Sequence, residues 1–184
     1  MSTREPILIV EDDSAARIGL QQLIRGWGFD VETAADGEQA LSRIETCHPA
    51  IVLTDLVMPN MGGLDLLRKI QELGEPVTTV ILTAQGTVET AVEAIKQGAY
   101  DYLTKPVDLQ RLKILLGKIV ERNATLREVV VLRRQLRERG TFGAMVGQSA
   151  EMRRIYHVIE QAAPTNASVL VSGESGTGKE LVAQ

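Results

Sequence analysis

Aromatic residues are scarce in this chain: one Trp, three Tyr and two Phe make up 3% of 184 residues. Its core must therefore be aliphatic. The single cysteine, Cys47, excludes an internal disulfide framework and cannot build a zinc site. Followed by His48, it reads as a helix end at the surface rather than a metal pair. No apolar run approaches the roughly 20 residues needed to span a bilayer. The opening MSTREP lacks a signal-peptide pattern, so the expected compartment is the cytoplasm, with no membrane partner. A hydrophobic content of 44% beside 24% charged residues is ordinary for a soluble globular protein. The length exceeds one typical domain and falls short of two.

The net charge of −4 hides an asymmetry. Residues 1–117 carry −7, residues 118–139 carry +4 and residues 140–184 carry −1. An acidic globule, a basic stretch and a third piece are expected.

Short apolar runs rich in β-branched residues recur through the acidic part. Ile7–Val10, Phe29–Thr33, Ala50–Leu53, Val77–Leu82 and Tyr100–Thr104 read as strands. Between them lie amphipathic helices: one opened by Ser14 with Ile18, Leu20, Leu23 and Ile24 inward, then Gly37–Thr46, Leu64–Leu73, and Thr87–Gln97 with Ala91, Ala94 and Ile95 inward. Such alternation predicts an α/β fold, a doubly wound five-stranded parallel sheet of order 2-1-3-4-5 with helices on both faces. The second strand is expected at an edge.

Chemistry in open α/β sheets gathers at the carboxyl ends of the strands. Here the first strand ends in Glu11, Asp12 and Asp13, the third in Asp55, the fourth in Thr83 and the fifth in Lys105. Carboxylates crowded into one crevice repel each other, and a divalent cation relieves this; oxygen ligands with room for water and phosphate suit Mg²⁺. Lys105 adds the positive charge, and Thr83 the hydroxyl, that a transferred phosphoryl group needs. An Asp carboxylate can itself attack phosphorus, giving an acyl phosphate. The competing use of this topology is a flavin-nucleotide site. It is disfavoured because an acidic crevice repels a bare phosphate and few aromatics are available to stack the flavin ring.

ILIVEDDS, VLTDLVMPNMGGLDLL, ILTAQG and AYDYLTKP together resemble the receiver domain of two-component response regulators, over residues 1–120. The resemblance implies Asp55 as phosphoacceptor from a sensor histidine kinase and Asp12 as a direct Mg²⁺ ligand. Glu11 would hold the metal through water, and the Val57 main-chain oxygen would also ligate it. Thr83 and Lys105 would contact the phosphoryl group, and Tyr102 would be the aromatic that changes rotamer on activation; as a plain core aromatic it needs no such role. Lys105-Pro106 resembles the family's cis bond. Asp13 reads as a loop or capping residue.

From the Asp108 N-cap only Gly117 interrupts a helical pattern up to residue 139. A helix of about 30 residues is too long for a receiver alone. Leu112, Leu115 or Leu116 and Ile119 are expected to pack on the receiver, and Leu126, Val129, Leu132 and Leu136 to form a short dimeric coiled coil. The basic run of Arg133, Arg134, Arg137 and Arg139 could serve nucleic acid. Interleaved Glu121, Glu128 and Glu138 make a solvated coiled-coil face the better reading.

Gly140–Gly147 starts a new unit, with a helix from Ser149 through Ala162 carrying Met152, Ile155, Val158 and Ile159 as its apolar residues. After the Pro164 turn, Ser168–Ser172 reads as a strand leading into Gly173, Glu174, Ser175, Gly176, Thr177, Gly178, Lys179 and Glu180. That is a phosphate-binding loop pattern for ATP, in which main-chain N–H groups cradle phosphates and Lys179 reaches them. Glu180 stands where Ser or Thr would hold Mg²⁺. MVGQSAEM and GESGTGKELVA resemble the opening of the AAA+ domain in NtrC-like, sigma-54-dependent activators, where Glu180 is the usual residue. The resemblance implies a fragment at 140–184 ending in the Walker A loop, one that by itself should not hydrolyse ATP. It also implies that sigma-54 RNA polymerase and DNA are met through domains beyond Gln184. The alternative is an autonomous P-loop ATP-binding protein with the receiver as a docking module.

Overall fold

The computed structural model describes residues 5–84, 86–138, 141–142 and 144–183. Arg139, Gly140, Gly143 and Gln184, and the side chains of Arg133, Arg134, Leu136, Arg137 and Glu138, lie outside the described residues, so expectations placed on them stay there. The chain divides into two compact units, Met1–Glu121 and Arg122–Gln184.

In the first unit, β1 (Pro6–Val10), β2 (Asp30–Ala34), β3 (Ile51–Asp55), β4 (Thr78–Thr83) and β5 (Asp101–Thr104) alternate with α1 (Ser14–Gly26), α2 (Gly37–Cys47), α3 (Gly63–Leu73) and α4 (Val88–Lys96); α5 (Leu109–Glu138) follows, and its residues to Glu121 belong to this unit. The strands form one parallel sheet of order β2-β1-β3-β4-β5, with β2 at an edge as expected. The β-branched runs suit strands buried on both faces. Alternation along them divides the core. Ile7, Ile9, Ile51, Leu53, Val80 and Leu82 meet Ile24 of α1 and Leu112, Leu116 and Ile119 of α5. Leu8, Val10 and Val52 meet Ala40, Ile44, Leu66 and Ile70 of α2 and α3. Each Val, Leu or Ile among them contributes roughly 1.5–3 kcal/mol when fully buried.

Local chemistry sets the helix starts. Asp13, Asp36 and Thr87 accept hydrogen bonds from the amides of Ala16, Gln39 and Thr90, satisfying donors that a first turn leaves unpaired. Asp108 does the same for Gln110 and Arg111. Asp13 is thus a capping residue. Gly74, at φ 69°, ends α3 in the left-handed conformation that glycine adopts without strain.

Two expected inward residues face out and a third is only half covered. Ile18 is exposed, because at 3.6 residues per turn it lies roughly 120° around α1 from buried Ile24. Ile95 is exposed because it adjoins Ala94, the residue of α4 that enters the core. Ala91 is only partly buried. The buried part of α5 ends near Ile119, and Leu126, Val129, Val130, Val131 and Leu132 are exposed.

In the second unit, β6 (Thr141–Phe142) and β7 (Met145–Val146) pair as an antiparallel hairpin that the residue pattern did not anticipate. It feeds α6 (Ala150–Ala162), capped by Ser149. Tyr156, rather than Ile155 or Val158, is the buried residue of α6. Its ring stacks on Phe142 at 4.9 Å and its hydroxyl donates to the Gly147 carbonyl. The hairpin supplies that partner, which periodicity along the helix does not reveal. Residues 168–172 are not a strand, and Val169, Leu170 and Val171 are exposed. A strand exists through ladder bonds to a neighbour, and among the described residues none pairs with this segment. Residues 179–182 form the short α7 (Lys179–Val182). No helix among the described residues is long and apolar enough to cross a membrane.

Two glycines should respond to alanine with opposite signs. At Gly63 a Cβ would sit 2.2 Å from the Asp55 carbonyl oxygen, against backbone that cannot yield cheaply, so Gly63→Ala should cost about 1–3 kcal/mol or more. Gly117 lies inside α5, where an added methyl would meet nothing within 4 Å, and it should gain about 0.5–1 kcal/mol as alanine. Urea unfolding measures both, and equal signs would contradict the packing described.

Candidate functional site

The site forms where β1 and β3 lie side by side while their following helices α1 and α3 cover opposite faces of the sheet. Strand ends open a crevice there. Val10 pairs in register with Thr54, so the next residues, Glu11 and Asp55, emerge together. Glu11 is buried, its amide donating to the Ala34 carbonyl at 3.2 Å. Asp12 is exposed. Asp55 closes β3 and is nearly buried; its Oδ1 accepts from the Val57 amide at 3.2 Å. Ligand atoms of Glu11, Asp12 and Asp55 all lie within 4.8 Å of one another.

Lys105 arrives from the far edge of the sheet. Its amide donates to the Thr83 carbonyl at 2.7 Å, and its peptide bond to Pro106 is cis. The ammonium donates to Glu11 Oε2 and to Asp55 Oδ2, each at 2.5 Å. Burial pulls the Lys105 pKa down, but the bonds and charges of Asp55 and Glu11 outweigh it and hold the pKa above the ordinary lysine value. Because the folded value is the higher one, the Lys105 contribution to stability is full below the ordinary lysine pKa and is lost as pH rises through the raised value. The crevice thus gathers three carboxylates around one ammonium. Buried carboxylates need compensation, and all-oxygen donors with solvent on one side suit a hard dication. Asp12 provides the open side.

Thr83 is buried at the end of β4, in register with Thr104 of β5. Tyr102 lies elsewhere. Partly buried against Leu67, Ile81 and Ala94, it places its hydroxyl 3.0 Å from Thr90 Oγ1 on α4. Thr90 Oγ1 also accepts from the Thr87 amide, completing the reciprocal cap that starts α4. Sequence reasoning missed Thr90, although two threonines three residues apart before a helix carry that signal. It also missed Arg17, whose guanidinium donates to the main-chain oxygens of Glu11 and Asp12; nothing in the local pattern marks it.

The second candidate loop is separate. Gly176 and Gly178 adopt positive φ, and Gly178 leads into α7. Lys179 Nζ donates to the carbonyls of Gly173, at 2.9 Å, and of Glu174, so the lysine is folded onto its own loop. Thr177 Oγ1 donates to the Glu174 carbonyl at 2.8 Å. Ser175 and Glu180 are exposed. The helix after this loop is present, and the expected strand before it is not.

Residues 7–116 match the response regulator receiver domain, and residues 145–184 match the sigma-54 interaction domain. The chain is 41% identical over 178 residues to the transcriptional regulatory protein ZraR of Klebsiella oxytoca, covering 97% of this chain and 39% of that protein. It is 34% identical over 177 residues to the DNA-binding transcriptional regulator NtrC of Salmonella typhimurium, covering 96% of this chain and 37% of that one. The crystal structure of NtrX from Brucella abortus superposes with a TM-score of 0.66 at 35% identity, over 97% of this chain and 39% of that one. A response regulator receiver domain protein from Clostridium thermocellum gives 0.63 at 33% identity, over 66% of this chain and 98% of that one. This chain therefore spans about two-fifths of the length of the relatives it matches end to end. It belongs to the response regulators, as a receiver domain followed by sequence of the sigma-54 interaction domain.

Proposed function

We propose that Asp55 accepts a phosphoryl group from the phosphohistidine of a sensor kinase. The Asp55 oxygen–phosphorus bond forms as the imidazole nitrogen–phosphorus bond breaks; with the donor's other ring nitrogen protonated, the ring leaves as neutral imidazole and an acyl phosphate stays on the chain. The observation that carries this reading is the Lys105 ammonium shared between Asp55 and Glu11, with the Asp12 carboxylate beside them. Asp12, Asp55, the Val57 main-chain oxygen and, through water, Glu11 would hold Mg²⁺. When bound, the ion neutralises charge on the transferred group. Lys105 stays charged and positions phosphate oxygens, and Thr83 offers its hydroxyl to them.

From the site, the change passes through Thr83 and Tyr102 to α4, whose outer face exposes Val88, Val92 and Ile95. The exposed Leu126, Val129 and Leu132 of α5 support a dimer through a short coiled coil. In the longer protein that dimer would control an AAA+ ATPase acting on sigma-54 RNA polymerase at DNA, in the cytoplasm. The domain limits proposed are a receiver over 1–120, a linker helix over 108–139 and an AAA+ portion from 140 onward. The phosphate chemistry is assigned to Asp55 rather than to the P-loop because Lys179 is spent on its own loop carbonyls and the loop is exposed. The chain is thus read as a phosphoacceptor, with ATP turnover belonging to the whole protein.

Incubation with a labelled small phosphodonor and Mg²⁺ should give acid-labile phosphate on the wild type and, in Asp55→Asn, a drop of at least about 100-fold. Equal labelling of the variant would sink the assignment. Sedimentation of the chain with Mg²⁺ and beryllofluoride should show a changed oligomeric state, abolished by Leu132→Asp. An unchanged state would favour a permanent dimer instead. Tight, Mg²⁺-dependent ATP binding by this chain would favour the autonomous P-loop reading.

A further inference from the structure

We infer that Arg17 is a positioning residue for the acidic crevice, setting the metal-binding geometry of Glu11 and Asp12 through their main chain. The inference rests on reading Glu11, Asp12 and Asp55 as a Mg²⁺ site. Only residues 11–13 connect β1 to α1, and three kinds of restraint hold them. The Glu11 amide is bound to the Ala34 carbonyl of β2. Asp13 caps α1 through the Ala16 amide at 2.7 Å, and the Arg17 amide returns to the Asp13 carbonyl at 2.9 Å. The third comes from the Arg17 side chain, whose Nη1 donates to the Glu11 carbonyl at 2.5 Å and the Asp12 carbonyl at 3.2 Å.

These last two bonds bear directly on the crevice. They gather consecutive main-chain oxygens onto one cationic nitrogen, which fixes both peptide planes and so the direction in which each carboxylate leaves the backbone. Glu11 has a second anchor in Lys105. Among the described residues no side chain bonds the Asp12 carboxylate, so the position of Asp12 depends on its backbone. Arg17 makes no ion pair with either acid among the described residues, and hence leaves their ligand oxygens available. A charge-assisted bond to a carbonyl is among the stronger restraints a partly exposed loop can have. Residues that orient ligands from behind typically alter metal affinity by roughly 10–100-fold.

The sign of the effect separates this role from simple electrostatics. Arg17 is a positive charge close to a site for a dication. If its charge alone mattered, removing it would tighten Mg²⁺ binding. If it positions the loop, removing it weakens binding. Calorimetric titration of the whole chain with Mg²⁺ should show the Kd of Arg17→Met raised about 10-fold, while Arg17→Lys, which can still donate to one carbonyl, regains part of the loss. Thermal melting without Mg²⁺ should place both variants within a few degrees of the wild type, which a purely structural role would not allow. An unchanged or lower Kd in Arg17→Met overturns the inference and leaves the site reading intact. A wild type that takes up no Mg²⁺, or whose uptake survives Asp12→Asn, overturns the site reading and this inference with it. Should Arg17→Met not fold, Arg17→Lys decides alone: a raised Kd supports the inference and an unchanged one overturns it.

Discussion

One ammonium held between two buried carboxylates organises this chain. Lys105 stands 94 residues from Glu11 and 50 from Asp55 along the sequence, yet it donates to both. Breaking such a pair from one side is costly, since it leaves an uncompensated charge away from water. The loops after β1, β3 and β5 must therefore keep their relative positions, and the parallel sheet between them is what keeps them there. The crevice still holds more carboxylates than the one ammonium pairs with. An open, all-oxygen crevice of this kind suits a hard cation.

The backbone around the crevice is held as firmly as its side chains. Gly63 packs directly on the Asp55 carbonyl and donates its amide to the Leu56 carbonyl, so α3 starts against the residue proposed to be modified. The Lys105 amide is tied to Thr83 at the end of β4. Thr83 thus shares its main chain with the lysine that contacts Asp55, giving a short physical route from the acid to β4 and β5. Tyr102 stands one strand further, joined through Thr90 to the cap of α4. Tyr102 thus meets that helix at its first turn, beside the hydrogen bonds that cap it.

The second unit follows different physics. Its described core is small, with Tyr156 stacked on Phe142 and Met145 buried nearby. The apolar segment 168–172 lies open, and the loop lysine satisfies itself on neighbouring carbonyls. A sheet-forming sequence without a partner strand has nowhere to place its ladder bonds or its side chains. Family resemblance and local geometry thus diverge here: the loop pattern is present, and its supporting strand is not.

Much of the first unit was legible from residue order alone. The sheet order, the edge position of β2, the caps at Asp13 and Asp108 and the meeting of Glu11, Asp55, Thr83 and Lys105 at one edge all follow from period, turn residues and handedness, which act over a few residues or through topology that admits few alternatives. Helix faces were less legible. Ile18, Ile95, Ile155 and Val158 are apolar and correctly spaced, but which arc of a helix is covered depends on what packs against it. The same limit hid the roles of Arg17 and Thr90. Sequence by itself determined the fold class and set the strand-end acids at one edge of the sheet, because period and handedness leave few alternative topologies. Only the tertiary structure decided which carbonyls Arg17 holds, which hydroxyl Tyr102 meets and which ring Tyr156 covers, because each partner comes from a different element and distance in space is not written in distance along the chain.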